Sequence, residues 1–246
     1  MLNRRLKSLA ERVLPGFVLR WLDPVQAMIE EEVRLVADAA THDQIILDAG
    51  AGEARHRKCF RRGRYIALDA GSGDPAWDYS NLDIRGHLES IPLRARSVDH
   101  ILCLVVLEHT RDPRCVLAEF SRVLKPGGTL VMIVPFLWEE HQPPHDYFRF
   151  TRHGIRLLLT RAGLEVISIE PQGGYFWYLA DAIRPLHRRL FGKERPLLFR
   201  ALTVPLALVS KVLFTALLPW LFFRLDRFDG KRTVTTGHEA VARRPS

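Results

Sequence analysis

The chain has only three cysteines in 246 residues, Cys59, Cys103 and Cys115, and no two are spaced as Cys-x-x-Cys. That excludes a disulfide framework or a zinc ribbon, and a cytoplasmic location is expected. Sixteen Gly and fifteen Pro are too few for a collagenous or low-complexity chain. With 47% hydrophobic and 26% charged residues, a disordered chain is excluded as well. The N-terminus lacks an unbroken apolar run, because Glu11 and Arg12 fall where a secretory signal needs one. What remains is a globular composition, long enough for one large domain, or one domain with an appendage.

Acidic residues are outnumbered, 28 against 36 Lys and Arg, giving a net charge of +8, but the excess is uneven. Residues 1–24 carry a net +3, residues 25–150 a net −4 and residues 151–246 a net +9. A nucleic-acid enzyme is expected to carry its basic stripe beside the active site, so no nucleic-acid partner is expected. Basic flanks around an acidic centre point to an anionic membrane surface. In residues 1–24, Leu2, Leu6, Leu9, Val13, Phe17 and Trp21 recur at spacings of three and four among Arg4, Arg5, Lys7, Arg12 and Arg20. This is a basic amphipathic helix pattern, interrupted at Pro15-Gly16, that suits a bilayer interface or the surface of its own domain. Asp23-Pro24 reads as an N-cap and a first-turn proline for a helix reaching about Ala40.

Between residues 44 and 135 short apolar runs alternate with helical stretches. Ile45–Leu47, Tyr65–Leu68, Val98–Leu104 and Thr129–Val134 read as strands, with helices expected at Ala54–Arg61 and Pro113–Leu124. A further helix is expected over Thr151–Ala162, closed by Gly163, and a further strand over Leu164–Ile169. The succession predicts an α/β fold, doubly wound, with helices on both faces of a mostly parallel sheet. After Gly173-Gly174 the chain turns aromatic and basic, and Ala201–Phe223 holds 17 apolar residues of 23, with Lys211 the only charge. The expected division is an N-terminal helix (1–24), a core (25–174), a basic and hydrophobic helical insertion (175–232) and a last core strand with its tail (233–246).

The sharpest local signal is Ile45-Ile46-Leu47-Asp48-Ala49-Gly50-Ala51-Gly52-Glu53-Ala54, a strand entering a glycine-rich turn. Glycines there admit close approach of a ligand, with free amides expected at the helix start. Arg55 stands where the dinucleotide fingerprint needs a third glycine, and Asp48 already ends the first strand, so a nicotinamide dinucleotide is disfavoured. Asp69, 21 residues beyond Asp48 at the end of the second expected strand, is placed to accept hydrogen bonds from a ribose diol.

With Leu47-Asp48-Ala49-Gly50-Ala51-Gly52 and Asp69 go Ile91-Pro92, Val98-Asp99, Val106-Leu107-Glu108-His109 and Arg122-Val123-Leu124-Lys125-Pro126-Gly127-Gly128-Thr129-Leu130. Together these resemble the class I S-adenosylmethionine-dependent methyltransferases of the type 11-like group, over about residues 25–170. The resemblance implies a Rossmann-like, seven-stranded sheet, with the hydrophobic insertion lying before a terminal strand at Gly237–Pro245. It implies S-adenosylmethionine as cofactor, with Asp48, Gly50, Ala51 and Gly52 at its methionine end, Asp69 on the ribose and the backbone at Leu104 near the ammonium group. His87, beside Leu88, stands where the family usually has an acid near the adenine, and Ala54 replaces the third motif glycine.

Lys125-Pro126-Gly127-Gly128 is expected to be a turn without chemistry, and Glu108-His109 to cap a helix. The loop after the fifth strand, Pro135–Phe150, concentrates His, acids and aromatics at the ligand-binding edge of the sheet. His141 or His145 is the candidate general base there, unless the two only fold a lid. No metal is expected, since the pair shows no third ligand. Pro205 and Pro219 favour a broken helix or hairpin in the insertion over a straight rod. The expected function is methyl transfer to a small, lipid or lipid-linked acceptor by a peripheral or monotopic enzyme at the inner face of a membrane. An oxidoreductase and a non-catalytic cofactor-binding protein are the alternatives.

Overall fold

The computed structural model describes residues 24–246; residues 1–23, with the amphipathic pattern and the Asp23 cap, lie outside the described residues. Helix α1 (Pro24–Ala39) presents Val33, Val36 and Ala37, with Ala40 just past its end, at spacings of three, one and three. Val33, Val36 and Ala40 close over Ile46, Leu102 and Val131 on one face of the sheet. Strands β1 (Ile45–Ala49), β2 (Arg64–Asp69), β3 (Ile84–Arg85), β4 (Val98–Leu104), β5 (Leu124–Pro135), β6 (Glu165–Gln172) and β7 (Gly237–Arg243) form that sheet. Their spatial order is β3-β2-β1-β4-β5-β7-β6. The first five are parallel, and β7 enters antiparallel between β5 and β6.

Strand residues alternate between the two faces, so Leu47, Ile101, Cys103, Leu130 and Met132 point away from α1 into the larger core. That core is closed by Val116, Leu117, Phe120 and Val123 of α2 (Pro113–Val123) and by Ile155 and Leu159 of α3 (Arg152–Arg161). A sheet covered on both faces explains why β1 and β4 read as nearly continuous apolar runs. Helix α2 starts where Asp112 accepts the backbone N–H groups of Arg114 and Cys115, with Pro113 at the first turn. Thr151 caps α3 by accepting the Gly154 N–H at 3.0 Å, and Gly163 follows its end with φ +74°. Lys125-Pro126-Gly127-Gly128, expected as a turn, instead lies within β5 where its register with β4 shifts; the Lys125 ammonium lies 2.7 Å from Asp99, whose carboxylate also accepts the Ile45 N–H.

The helix expected over Ala54–Arg61 is only a 3₁₀ turn, Arg55–Cys59, with none of its residues buried. Ala54 is left-handed (φ 53°), and Arg55-His56-Arg57-Lys58 offers no apolar stripe for the sheet to hold an α-helix by.

Beyond Gly174 come α4 (Tyr175–Ile183), α5 (Leu186–Phe191), α6 (Leu197–Leu202), α7 (Val204–Val212) and α8 (Leu218–Leu225). A π turn, Leu213–Leu217, joins α7 to α8, so that Val204–Phe228 is one 25-residue helix, long and apolar enough to cross a membrane. Pro219 therefore does not break the rod: the i→i+5 turn just before it, closed by the Leu218 N–H on the Leu213 carbonyl, widens the backbone where the ring would clash. The break or hairpin expected at Pro205 and Pro219 does not form; the long helix instead packs back along α4 through α8. Trp177 meets Phe223 edge-on at 4.8 Å, and the Arg184 guanidinium lies 5.3 Å from the Phe223 ring centre.

Candidate functional site

The order of the sheet reverses between β1 and β4, and the crevice outside the carboxyl ends of their strands is where this topology takes its ligands. Gly50 (φ +87°) and Gly52 (φ +54°) turn the chain there out of β1. A Cβ on Gly50 would stand 2.4 Å from both methyls of Val106, and one on Gly52 would stand 3.2 Å from the Trp77 ring. Glycine is thus required first by the protein's own packing. The amides of this turn are not free, contrary to expectation. Those of Gly50 and Ala51 donate to the Leu68 carbonyl at 2.8 and 3.0 Å, and that of Gly52 donates to Asp69 at 2.9 Å.

Asp69 ends β2 half-buried, and its other oxygen accepts the Gly71 N–H at 2.7 Å. Each oxygen has spent one acceptor position and keeps another, so the carboxylate is held in place yet able to accept two hydroxyls. Asp48 is 2% exposed and turns inward, accepting the Tyr65 hydroxyl and facing His56 Nδ1 at 3.1 Å. Desolvation beside that carboxylate pushes the Tyr65 phenol far above its usual range. Leu88 is buried in the core, His87 is exposed on the preceding loop, and Leu104 is half-buried against the α1 face.

The chain leaves β4 through Val105, a β-branched residue at φ +59° whose N–H bonds the Ile133 carbonyl at 2.8 Å. Such a conformation costs of order 1–3 kcal/mol and persists only where the surroundings impose it. The turn sets Val106 on Gly50 and sends Glu108 inward, fully buried, within 3.7 Å of His109 Nε2 and 3.6 Å of His141 Nε2. Glu108 and His109 therefore do not cap a helix. Of the two expected bases, His141 enters this cluster, while the His145 ring turns away to the Tyr147 hydroxyl at 2.9 Å. Only the His145 backbone serves the cluster, its carbonyl receiving His109 Nδ1 at 2.5 Å.

Glu108, aided by the Glu139 carbonyl and Asp146, raises the pKa of His141 against the opposing effect of burial. Arg149, through two contacts of 2.6 and 2.7 Å, holds the Asp146 carboxyl well below the usual range. The sequence signal for this cluster was topological. Glu108-His109 follows β4, His141 follows β5, and parallel neighbouring strands bring their following loops together. Trp77, packed on Gly52 and Gly73, carried no such signal.

Residues 47–132 match the family model of the methyltransferase domain. The chain is 30% identical over 168 residues to a demethylmenaquinone methyltransferase of Renibacterium salmoninarum, an alignment covering 61% of this chain and 64% of that one. It is 29% identical over 127 residues to a malonyl-[acyl-carrier protein] O-methyltransferase of Hahella chejuensis, covering 47% and 46%. The chain thus spans less than two thirds of the length of these curated relatives. Among solved structures, geranyl diphosphate C-methyltransferase of Streptomyces coelicolor shares the fold, with a TM-score of 0.53 at 15% identity over 87% of this chain and 76% of that one. The strand order, the glycine turn facing an acid at the end of β2 and the family match agree: residues 47–132 carry a methyltransferase domain, set in the sheet order of the class I S-adenosylmethionine-dependent fold.

Proposed function

We propose that this chain transfers a methyl group from S-adenosylmethionine to a small-molecule or lipid-linked acceptor at a membrane surface. The observation that carries the cofactor is Asp69, fixed from two sides by Gly52 and Gly71 with acceptor capacity to spare for a ribose diol. When bound, the cofactor supplies a methyl group on a sulfonium, whose departure as a neutral thioether needs no acid. The protein's part is to orient. Gly50, Ala51 and Gly52 shape the methionine end, Asp69 holds the ribose, and Leu88 and Leu104 flank the crevice. Holding an acceptor in line with the methyl group can contribute up to about 7–11 kcal/mol of the barrier. If the acceptor is a hydroxyl, His141 or His145 is the candidate to take its proton, an effect of roughly 10²–10⁴.

The acceptors named for the two relatives, demethylmenaquinone and malonyl-[acyl-carrier protein], support an acceptor that is not a nucleic acid. The membrane reading rests on the helical pair after β6. Leu197, Leu198 and Leu202 are each more than 70% exposed, and Leu206, Leu208 and Val209 each at least 60% exposed. Exposed apolar surface on this scale, flanked by Arg188, Arg189, Lys193, Arg195, Arg200, Arg224 and Arg227, suits an anionic lipid interface.

Asp69→Ala is expected to abolish calorimetric binding of S-adenosylmethionine, while His145→Ala spares binding and slows turnover. Unchanged affinity in the Asp69 variant would sink the assignment. Incubation with labelled cofactor and a lipid extract, followed by identification of the labelled product, tests the acceptor. Cofactor binding with no S-adenosylhomocysteine released in any extract would favour the non-catalytic alternative.

A further inference from the structure

Glu108 is wholly buried, yet neither of its carboxylate oxygens meets a hydrogen-bond donor, and the same is true of the Nε2 atoms of His109 and His141. Burying an unpaired carboxylate is costly, so some group is expected to complete it. The two imidazole nitrogens stand 3.7 and 3.6 Å from Glu108 Oε1, too far for hydrogen bonds, and one ligand atom from each of the three residues lies within 4.8 Å of the others. Three ligands bound tetrahedrally at about 2.0–2.2 Å from one ion would stand roughly 3.3–3.6 Å apart. The spacing fits three groups around a common centre better than it fits groups paired with each other.

The outer contacts fix the tautomers. His109 Nδ1 faces the His145 carbonyl at 2.5 Å, and a carbonyl only accepts, so Nδ1 carries the hydrogen and Nε2 presents its lone pair. His141 Nδ1 lies 3.1 Å from the Glu139 carbonyl and 3.4 Å from Asp146, which gives the same result. Asp146 is itself held by Arg149 and by the His141 N–H at 2.8 Å. The two rings meet edge to face with centroids 4.7 Å apart, and Trp138 stacks on His141. Ligating histidines whose other nitrogen donates to a carbonyl or carboxylate are the usual supporting arrangement of a metal site.

We propose that Glu108, His109 and His141 bind a divalent cation of the zinc, cobalt or manganese class, which accepts imidazole and carboxylate ligands together. Three protein ligands leave at least one position open. Val106, two residues before Glu108, packs on Gly50, and Gln142, next to His141, lies against Gly73, so the triad shares an edge with the glycine turn. Resting on the methyl-transfer reading, the open position would take an oxygen of the acceptor and lower the pKa of its proton.

The test uses the full-length protein, freed of metal with a chelator and titrated with Co²⁺ by visible absorption and with Zn²⁺ by calorimetry. One equivalent per chain is expected, with a cobalt d–d spectrum, a raised melting temperature on loading and at least a tenfold loss of affinity in His109→Ala and His141→Ala. His145→Ala keeps its carbonyl and is expected to retain affinity. Should either alanine variant fail to fold, Glu108→Gln preserves the volume and is expected to lose the metal. A folded wild-type protein that binds neither ion, or that binds with affinity unchanged by these substitutions, would overturn the site. Calorimetry with S-adenosylmethionine on the same samples separates the two readings. Cofactor binding without metal binding overturns only the triad, and metal binding without cofactor binding overturns only the methyl-transfer reading.

Discussion

At Gly50 two separate demands meet. The backbone is left-handed, and a Cβ would overlap both Val106 methyls at 2.4 Å. Gly50→Ala is expected to cost about 1–3 kcal/mol, and to lower Tm by roughly 2–4 °C for each kcal/mol in a chain of this size. Adding Val106→Ala is expected to recover part of the loss in a thermal melt; a single variant that melts like the wild type would contradict the packing. Glu239 on β7 shows a different residue-level tension. Burial first, and then the neighbouring Glu32 carboxylate, push its pKa up from 4.5 to about 7. The folded chain therefore keeps a proton that the unfolded chain releases near 4.5, and stability falls as pH rises from about 4.5 to 7 and does not return above it. Glu239→Gln is expected to raise Tm at pH 8 by a few degrees, about 1 kcal/mol after allowance for solvent screening, and to change it little at pH 4. An equal gain at both pH values would point to a cause other than ionisation.

Among the elements, the pair α4 and α8 depends on two acids at its base. Asp226, 5% exposed, accepts the N–H groups of Gly174 at 3.1 Å and Trp177 at 2.9 Å, and Asp229 accepts the Tyr175 N–H at 2.7 Å. These contacts answer the unpaired donors at the start of α4 and tie the far end of the long helix to the strand edge from which the insertion departs. Asp226→Ala leaves buried donors unpaired, at an expected cost of roughly 1–3 kcal/mol. Limited proteolysis is expected to cut residues 184–203 faster in this variant while S-adenosylmethionine affinity stays as in the wild type. Equal cleavage rates would show that the acids do not anchor the pair. The π turn belongs to this scale too, because it lets Pro219 sit within a continuous helix.

For the whole molecule, both ends of the insertion return to the same edge of the sheet, so the chain need not cross a bilayer to complete β7. The 25-residue helix is only 11% buried over its most apolar stretch, which leaves most of its apolar side chains exposed, the surface on which the membrane proposal rests. In flotation with vesicles rich in phosphatidylglycerol, the full-length protein is expected to float at low salt and partly detach as salt screens its basic residues. Leu206→Asp with Val209→Asp is expected to abolish flotation without altering cofactor affinity. A wild-type protein that stays unbound at low salt would remove the membrane reading.

The strand succession, the glycine turn, Asp69, the helices beginning near Pro113 and Thr151 and the greasy insertion were legible in the sequence because each rests on local periodicity or spacing. Helix Ala54–Arg61 was misread because a helix without a buried face has nothing to hold it. The amides of Gly50 and Gly52 looked free only because Leu68 and Asp69 are distant in sequence. The grouping of Glu108 and His109 with His141, and the turning away of the His145 ring, were decided by tertiary structure alone. They depend on β4 lying beside β5 and on a left-handed Val105, and neither is a property of any short stretch of residues.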